Sequence, residues 1–355
     1  MNSQEAEIFV SKLISIPSQS GNEGEVADML QKHLASLGIS VSRVKNNLWA
    51  ESEPAGSKPT VMLNAHIDTV KPSASWKSDP LVPLRSTYDD GSTAICGLGS
   101  NDDGGSIVAL TDAFLRLCAS PQPCRFVLAL TSEEENCGRN GIEALVAEIG
   151  EPDLAIVGEP TGMKMAVAEK GLMVLDCSVA GVAGHAAREE GVNAIYKALP
   201  AIEWFRTYRF AKVSEFLGPV KMNVTQVNAG TQHNVIPDIC SFVVDVRGNG
   251  LYSNEEILSE IESSVPAGCS VKARSTRLSS SSISLDNPAV KRGVSMGLEA
   301  FGSPTLSNQA LLHCPCIKMG PGDSARSHSA GEYILLEEII EGADIYVRLL
   351  DKLEL

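Results

Sequence analysis

Three short runs of almost unbroken apolar residues constrain the fold of this chain more than any other feature. They cover residues 61–65, 125–130 and 154–157. Such continuous apolar character over a few residues is typical of β-strands that are buried on both faces. Helical patterns separate the runs, over about 106–118 and 141–149. The alternation predicts an α/β fold with a wound mixed sheet and helices on both faces.

Further helical patterns lie at the two ends of the chain. At the start we expect helices up to Pro17 and over about 23–37, because apolar residues recur at helical spacing. At the end we expect helices over about 288–301 and 336–350. Residues 311–318 are interpreted as one more buried strand.

The pattern changes in the middle of the chain. From Gly171 to about Lys272 the order is strand, helix, strand, strand, helix, strand, which is typical of a small ferredoxin-like βαββαβ insertion. We therefore expect one domain formed by residues 1–168 and 278–355, and an inserted domain formed by residues 169–277. The serine run 279–282 is interpreted as the linker that returns to the first domain.

Composition excludes several classes of protein. The 355 residues carry a formal net charge of -15, whereas a nucleic-acid binder needs a basic face. No apolar stretch approaches the roughly 20 residues of a membrane span, and the first residues do not resemble a signal peptide. The nine cysteines are spread thinly, which favours reduced thiols. We expect a cytoplasmic protein that binds neither nucleic acid nor membrane.

His66 and Asp68 follow the first apolar run at a spacing that points both side chains to one face of a strand. His66 could offer a ring nitrogen to a metal, and Asp68 could accept a hydrogen bond from the other ring nitrogen. Taken alone, such a tripeptide is more often just a histidine at a strand end that bonds a neighbour.

Asp102 lies in the glycine-rich segment 97–105. Glycines allow tight turns, so the carboxylate could be placed where it bridges two cations. A phosphate-binding loop is excluded because the Lys-Ser/Thr ending is absent and two adjacent aspartates would repel phosphate. The ligand spacing of a calcium-binding EF-hand loop is absent too.

Acidic residues also follow the other two apolar runs. Glu133, Glu134 and Glu135 come after the second run, and Glu159 comes after the third. Three acids in a row are often a solvated turn, but the carboxyl ends of strands in wound sheets are where sites collect. His328 lies after a Gly/Ser/Asp-rich loop that precedes the last helical pattern.

Together these five segments resemble the dinuclear zinc amidohydrolases and exopeptidases, a family that includes acetylornithine deacetylase, succinyl-diaminopimelate desuccinylase, aminoacylase and a glutamate-releasing carboxypeptidase. The resemblance covers essentially the whole chain. It implies two zinc ions, with cobalt as an alternative, and a homodimer formed through the inserted domain. It implies His66, Asp102 and Glu159 on one metal, and Asp102, Glu135 and His328 on the other. Glu134 would be the general base, and Asp68 would orient a ligand.

The inserted domain carries three further matches to the family. His185, in Gly-His-Ala-Ala, resembles the lid histidine that stabilises an oxyanion in the neighbouring subunit. Asn234 resembles a substrate-contacting amide, and Arg247 resembles the arginine that binds the substrate carboxylate, a role that suits a bidentate guanidinium. From the residues alone, a strand arginine is usually a surface ion pair and a lone histidine is usually just hydrogen-bonded.

The chain also departs from the family pattern. Leu98 and Gly104 stand where the family often has arginine and lysine, and Asp103 adds a negative charge, so substrate preference is less constrained than the ligand set. Cys314 and Cys316, in His-Cys-Pro-Cys, are interpreted as core residues because a structural zinc site needs four ligands.

The resemblance implies metal-dependent hydrolysis of the amide bond of a small-molecule N-acyl amino acid. The first expected substrate is N-acetylornithine, an intermediate of arginine biosynthesis. The alternatives are N-succinyl-diaminopimelate, an acylcitrulline or another N-acyl amino acid, and a dipeptide. A non-catalytic binding protein on the same scaffold would be expected to have lost a ligand or Glu134, and none is lost.

Overall fold

A computed structural model describes residues 1–188 and 190–355 of the chain. Within these residues the helices are α1 (Ser3–Ile14), α2 (Gly24–Ser36), α3 (Gly105–Cys118), α4 (Ile142–Ile149), α5 (Ala194–Thr207), α6 (Asn254–Ser264), α7 (Pro288–Ser295) and α8 (Leu336–Leu350). In this part of the chain no helix is both long enough and apolar enough to cross a bilayer.

The strands of the described residues are mostly short. They are β1 (Ser42–Val44), β2 (Asn47–Glu51), β3 (Thr60–His66), β4 (Leu84–Thr87), β5 (Thr93–Cys96), β6 (Arg125–Thr131), β7 (Leu154–Val157), β8 (Met165–Glu169), β9 (Met173–Ala180), β10 (Gly184–His185), β11 (Lys221–Ala229), β12 (Val235–Ile236), β13 (Ile239–Arg247), β14 (Cys269–Ala273), β15 (Ser281–Ser282), β16 (Ala300–Ser303), β17 (Cys316–Lys318) and β18 (Tyr333–Leu335).

The largest sheet mixes parallel and antiparallel pairs. Its order runs β1-β2-β6-β3-β7-β17-β8. The central neighbours β6, β3, β7 and β17 are parallel to one another, whereas β1 and β2 are antiparallel to their neighbours. The predicted mixed α/β fold is confirmed.

The central strands end side by side. Strands β6 and β7 are buried along their whole length, as expected for parallel strands covered on both faces. In register, His66 lies opposite Thr131, Asn64 lies opposite Val157, and Val157 lies opposite Lys318. The segments that follow these strands therefore emerge at one edge of the sheet, where sites collect in wound α/β folds.

Contacts along the chain define two compact units. The first consists of Met1–Val167, Ile283–Phe301 and Ser307–Leu355, and the second of Ala168–Ser282 and Gly302–Leu306. The second unit thus includes a short later segment of the chain, Gly302–Leu306, which the sequence did not indicate.

The second unit has its own sheet and core. The sheet order is β11-β13-β9-β14, and all of its neighbours are antiparallel. Burial alternates along β9, so one face of that strand is inside. A cluster of buried residues joins the sheet to α5 and α6, including Leu175, Phe205, Phe242 and Ile257. The chain order β9-α5-β11-β13-α6-β14 confirms the predicted βαββαβ pattern.

One predicted helix is too long. The helix expected over 288–301 ends at Ser295, and β16 follows it. Gly297 has a φ of +87°. Its N–H donates to the Val294 oxygen while the Leu298 N–H donates to the Gly293 oxygen. This is the Schellman closure of a helix, which glycine favours because it adopts a left-handed backbone without steric cost.

Two other expectations were also wrong in detail. Only residues 316–318 of the predicted strand 311–318 are a strand, and a short 3₁₀ turn, Asn308–Leu311, precedes it. Pro315 has no N–H to donate to a sheet, which explains why the strand begins after it. The serine run is not purely a linker, because Ser281 and Ser282 pair with Glu169 and Ala168.

Candidate metal centre

Asp102 lies between two imidazole rings. Its Oδ1 is 2.9 Å from Nε2 of His66, and its Oδ2 is 3.5 Å from Nε2 of His328. The Nε2 of His328 is also 3.0 Å from Oε1 of Glu135. A carboxylate whose two oxygens face two different imidazoles has the geometry needed to bridge two cations.

Asp68 organises the other side of His66. The ring Nδ1 is 2.9 Å from the backbone oxygen of Asp68 and 3.6 Å from its Oδ1. The hydrogen bond expected to the carboxylate is therefore made to the backbone. The carboxylate instead accepts hydrogen bonds from Ser20 Oγ and from the backbone N–H groups of Glu134 and Glu135. Asp68 thus links the end of the His66 strand to the turn that carries Glu134 and Glu135 through hydrogen bonds.

Two groups of possible metal ligands result. The ligand atoms of Asp102, Glu135 and His328 lie within 4.8 Å of one another, and so do those of His66, Glu134 and Glu135. Within the described residues, Glu159 belongs to neither group. Glu134 thus comes within ligand distance of His66, and Glu159 lies near enough to Asp102, Glu134 and His66 to interact with their charges.

Acidic side chains are crowded together at this centre, and their pKa values shift upward. Burial raises the pKa of Glu134 to about 8, with repulsion from Glu135, Asp68 and Asp102 adding to the shift. Burial and repulsion from Asp102 and Glu134 raise the pKa of Glu159 well above its usual range. Hydrogen bonding to Glu135 raises the pKa of His328 to about 9. Crowded carboxylates and imidazoles of this kind fit divalent cations, which would relieve the repulsion.

The loop that carries Asp102 is tightly packed. Gly99 has a φ of +72°, a backbone conformation that favours glycine. At Gly104 a Cβ atom would lie 2.4 Å from the backbone oxygen of Gly99, so a lysine cannot occupy this position without a shift of the loop. Leu98 is buried, and its N–H donates to the oxygen of Pro80. The two residues that depart from the family pattern, Leu98 and Gly104, thus lie in one tightly packed turn.

The sequence did not indicate two other side chains at this centre. Glu332 is buried and accepts hydrogen bonds from three N–H groups of the Asp102 loop. Lys318 is buried, and its charge opposes the upward shift in the pKa of Glu159. Lys318 was detectable in principle, since a lysine at the end of an apolar strand is unusual.

His185 and Asn234 are neighbours in the second unit. Strands β10 and β12 pair so that His185 lies opposite Val235, and the Ala186 N–H donates to the Asn234 oxygen at 2.9 Å. The Nδ1 of His185 accepts a hydrogen bond from the Ala187 N–H. Both the His185 and the Asn234 side chains are exposed.

Arg247 already has a carboxylate partner in the second unit. Its Nε and an Nη atom lie 2.9 and 3.1 Å from the two carboxylate oxygens of Asp245. Both side chains are less than one-third exposed. The guanidinium therefore already makes a bidentate pair with a carboxylate of its own strand.

Comparison with known proteins gives the family. The description "Peptidase family M20/M25/M40" matches residues 62–352. A succinyl-diaminopimelate desuccinylase of Corynebacterium glutamicum is 27% identical over 97% of this chain and 96% of its own. A protein of the same name from Aromatoleum aromaticum is 30% identical over 69% of this chain and 67% of its own.

Solved structures show the same fold. The aminopeptidase PepT of Bacillus cereus superposes with a TM-score of 0.80 at 19% identity, covering 99% of both chains. A dinuclear metal-binding peptidase of the M20 family from Bacillus subtilis superposes with a TM-score of 0.71 at 16% identity, covering 98% of this chain and 97% of that one. Because the family description matches most of the chain, the chain belongs to peptidase family M20/M25/M40 and is a metal-dependent amidohydrolase.

Proposed function

We propose that this protein removes the acyl group from an N-acyl amino acid by hydrolysing its amide bond. The observation that carries the proposal is Asp102, whose two carboxylate oxygens face His66 and His328 beside the buried Glu134. We propose zinc as the metal, with cobalt as a substitute. His66, Asp102 and Glu159 would hold one ion, and Asp102, Glu135 and His328 would hold the other.

Glu134 is the proposed general base. When bound, two divalent cations polarise an amide carbonyl and lower the pKa of a water molecule toward about 7. Glu134 takes the proton from the attacking water and delivers it to the leaving amine, a role worth about 10²–10⁴ in rate. The Asp68 carboxylate supports this role because it accepts the Glu134 N–H and fixes the turn.

The second unit would supply substrate contacts. We propose that His185 stabilises the developing oxyanion, that Asn234 contacts the substrate, and that Arg247 binds its carboxylate. The Asp245 carboxylate then competes with the substrate for the Arg247 guanidinium. In the proposed homodimer, His185 acts on the site of the partner subunit, so activity depends on the dimer.

N-acetylornithine is the first proposed substrate, because the motifs of the chain resemble those of acetylornithine deacetylase. N-succinyl-diaminopimelate is the second candidate. It is favoured by the relatives that carry the desuccinylase name and align with almost the whole chain.

The test is a substrate panel. The zinc-loaded protein is incubated with N-acetyl and N-succinyl derivatives of ornithine, citrulline, lysine and diaminopimelate, and with dipeptides, and the released amine is measured. Strong preference for one N-acyl amino acid supports the proposal and selects the acyl group. Cleavage of dipeptides alone would instead make the protein an exopeptidase. No turnover with two metals bound would favour a binding protein.

A further inference from the structure

Glu332 is a buried carboxylate in the same loop as His328, and only 2% of its surface is exposed. Its Oε1 accepts hydrogen bonds from the N–H groups of Asn101 and Asp102 at 3.0 and 2.9 Å, and its Oε2 accepts one from Gly99 at 3.1 Å. All three donors belong to the turn that presents Asp102. A carboxylate has enough acceptor sites for such a set, whereas a neutral amide has one acceptor oxygen.

Asn101 makes the opposite connection. Its Nδ2 donates to the backbone oxygen of Asp323 at 3.0 Å and to Ser327 Oγ at 3.2 Å, and its Oδ1 accepts the Asp323 N–H at 3.1 Å. Each loop thus contributes one side chain that forms hydrogen bonds with the backbone of the other loop. We call Glu332 and Asn101 together the clasp.

The main chain extends the same connection. The backbone oxygen of Glu332 accepts the Gly97 N–H at 3.0 Å, and Tyr333 pairs with Cys96 where β18 meets β5. The two ligands joined by the clasp, Asp102 and His328, come from segments more than 220 residues apart in sequence. These contacts therefore help to set their relative position.

We propose that Glu332 is a positioning residue for the dinuclear centre, which holds Asp102 in register with His328 so that both can ligate the same ion. This rests on the proposed function only in assuming that the two residues are ligands. The clasp bonds to the backbones of the two loops that carry the ligands, so its role is to preorganise a ligand pair. Groups that orient metal ligands typically change metal affinity by about 10–100-fold when they are replaced.

The test measures metal affinity in the full-length protein, by titrating Zn²⁺ and Co²⁺ against a chromophoric chelator. Glu332→Gln is compared with Glu332→Asp and with Glu341→Gln, a control at an exposed position on α8. We expect Glu332→Gln to weaken the more weakly held ion by about 10–100-fold. Glu332→Asp, which keeps the charge, should recover part of that affinity, and Glu341→Gln should match the parent.

Two further readouts separate positioning from general stability. The melting temperature of the metal-free Glu332→Gln protein reports the structural contribution alone. Excess metal should restore the turnover of Glu332→Gln but not that of Glu134→Gln. Unchanged affinity for two ions in Glu332→Gln would overturn the proposal, and so would turnover that excess metal cannot restore.

A milder variant keeps the proposal testable if Glu332→Gln does not fold. Ser327→Ala removes one acceptor of the Asn101 amide, together with the hydroxyl that hydrogen-bonds the Asp102 carboxylate, and loss of one hydrogen bond predicts at least about a fivefold lower affinity. Affinity equal to that of the parent in this variant would count against the clasp. The titration needs no substrate, so it decides the role of Glu332 even if the proposed reaction is wrong.

Discussion

Two groups of candidate residues, one in each unit, are held in opposite ways. In the first unit, His66, Asp68 and Asp102 are buried and hydrogen-bonded. Backbone groups bond the His66 and Asp68 side chains, and the His66 ring bonds the Asp102 carboxylate. In the second unit, His185 and Asn234 are exposed on a ribbon of two-residue strands. The comparison indicates that this group in the first unit is held in place before a ligand binds, whereas His185 and Asn234 would need a substrate or partner to fill the roles proposed for them.

The largest expected effect lies in the first unit. Glu134→Gln should reduce kcat by about 10²–10⁴, because it removes the proposed general base while keeping the shape of the side chain. Two metal ions per chain should still be measured by elemental analysis. The exposed Glu148→Gln serves as control. Turnover close to that of the parent would remove Glu134 from the mechanism.

His185 tests whether the second unit takes part in catalysis at all. His185→Ala should lower kcat by about 10²–10³, the usual cost of deleting one oxyanion donor. Metal content should not change. His233→Ala replaces another exposed imidazole of the same unit and is the matched control. Equal kinetics in the two variants would show that His185 does not stabilise the transition state.

Metal should stabilise the first unit by a measurable amount. At a free metal concentration of 100 Kd, ligand binding adds about 2.7 kcal/mol to the free energy of unfolding, so the melting temperature should rise when Zn²⁺ is added to chelator-treated protein. Asp102→Asn should lose most of this rise, because it weakens the proposed bridging ligand. Asp344→Asn, at an exposed surface pair, should retain it. An equal rise in both variants would contradict the bridging role.

The smallest effect concerns Arg247. Asp245→Asn should free the guanidinium and lower KM by up to about fivefold, since partly exposed ion pairs are worth at most about 1 kcal/mol. Asp176→Asn breaks a similar bidentate pair, with Arg274, in the same sheet. KM should not change in that control. An unchanged KM in Asp245→Asn would mean that Arg247 does not bind the substrate carboxylate.

The sequence predicted the parts of the fold in which side-chain pattern and burial agree. Strands β3, β6 and β7 were found because their residues are apolar almost throughout. Strand β8 was missed although it is entirely buried, since Met, Ala and Glu favour helices and Glu169 reads as a surface residue. The three-stranded sheet formed by β18, β5 and β4 was also missed, because strands of three or four residues carry little periodicity.

The candidate site, like the fold, could be predicted from the sequence only in part. His66, Asp102 and His328 could be read from short motifs because chemistry restricts which residue types bind metal. Glu332 could not, since a single glutamate after a glycine resembles any surface residue until β18 pairs with β5 and buries it. Sequence motifs identify side chains suited to binding a metal, whereas the contacts that hold them depend on segments distant in the chain.

Gly104 limits which residues and segments of this enzyme can be replaced by those of its relatives. Because a Cβ atom there would overlap the Gly99 oxygen, a lysine borrowed from another family member cannot be introduced alone. In a chimera, the whole turn from Gly97 to Gly105 has to move as one block, together with Glu332, which binds its backbone. Engineering of this turn therefore requires the transfer of a backbone conformation rather than of a single side chain.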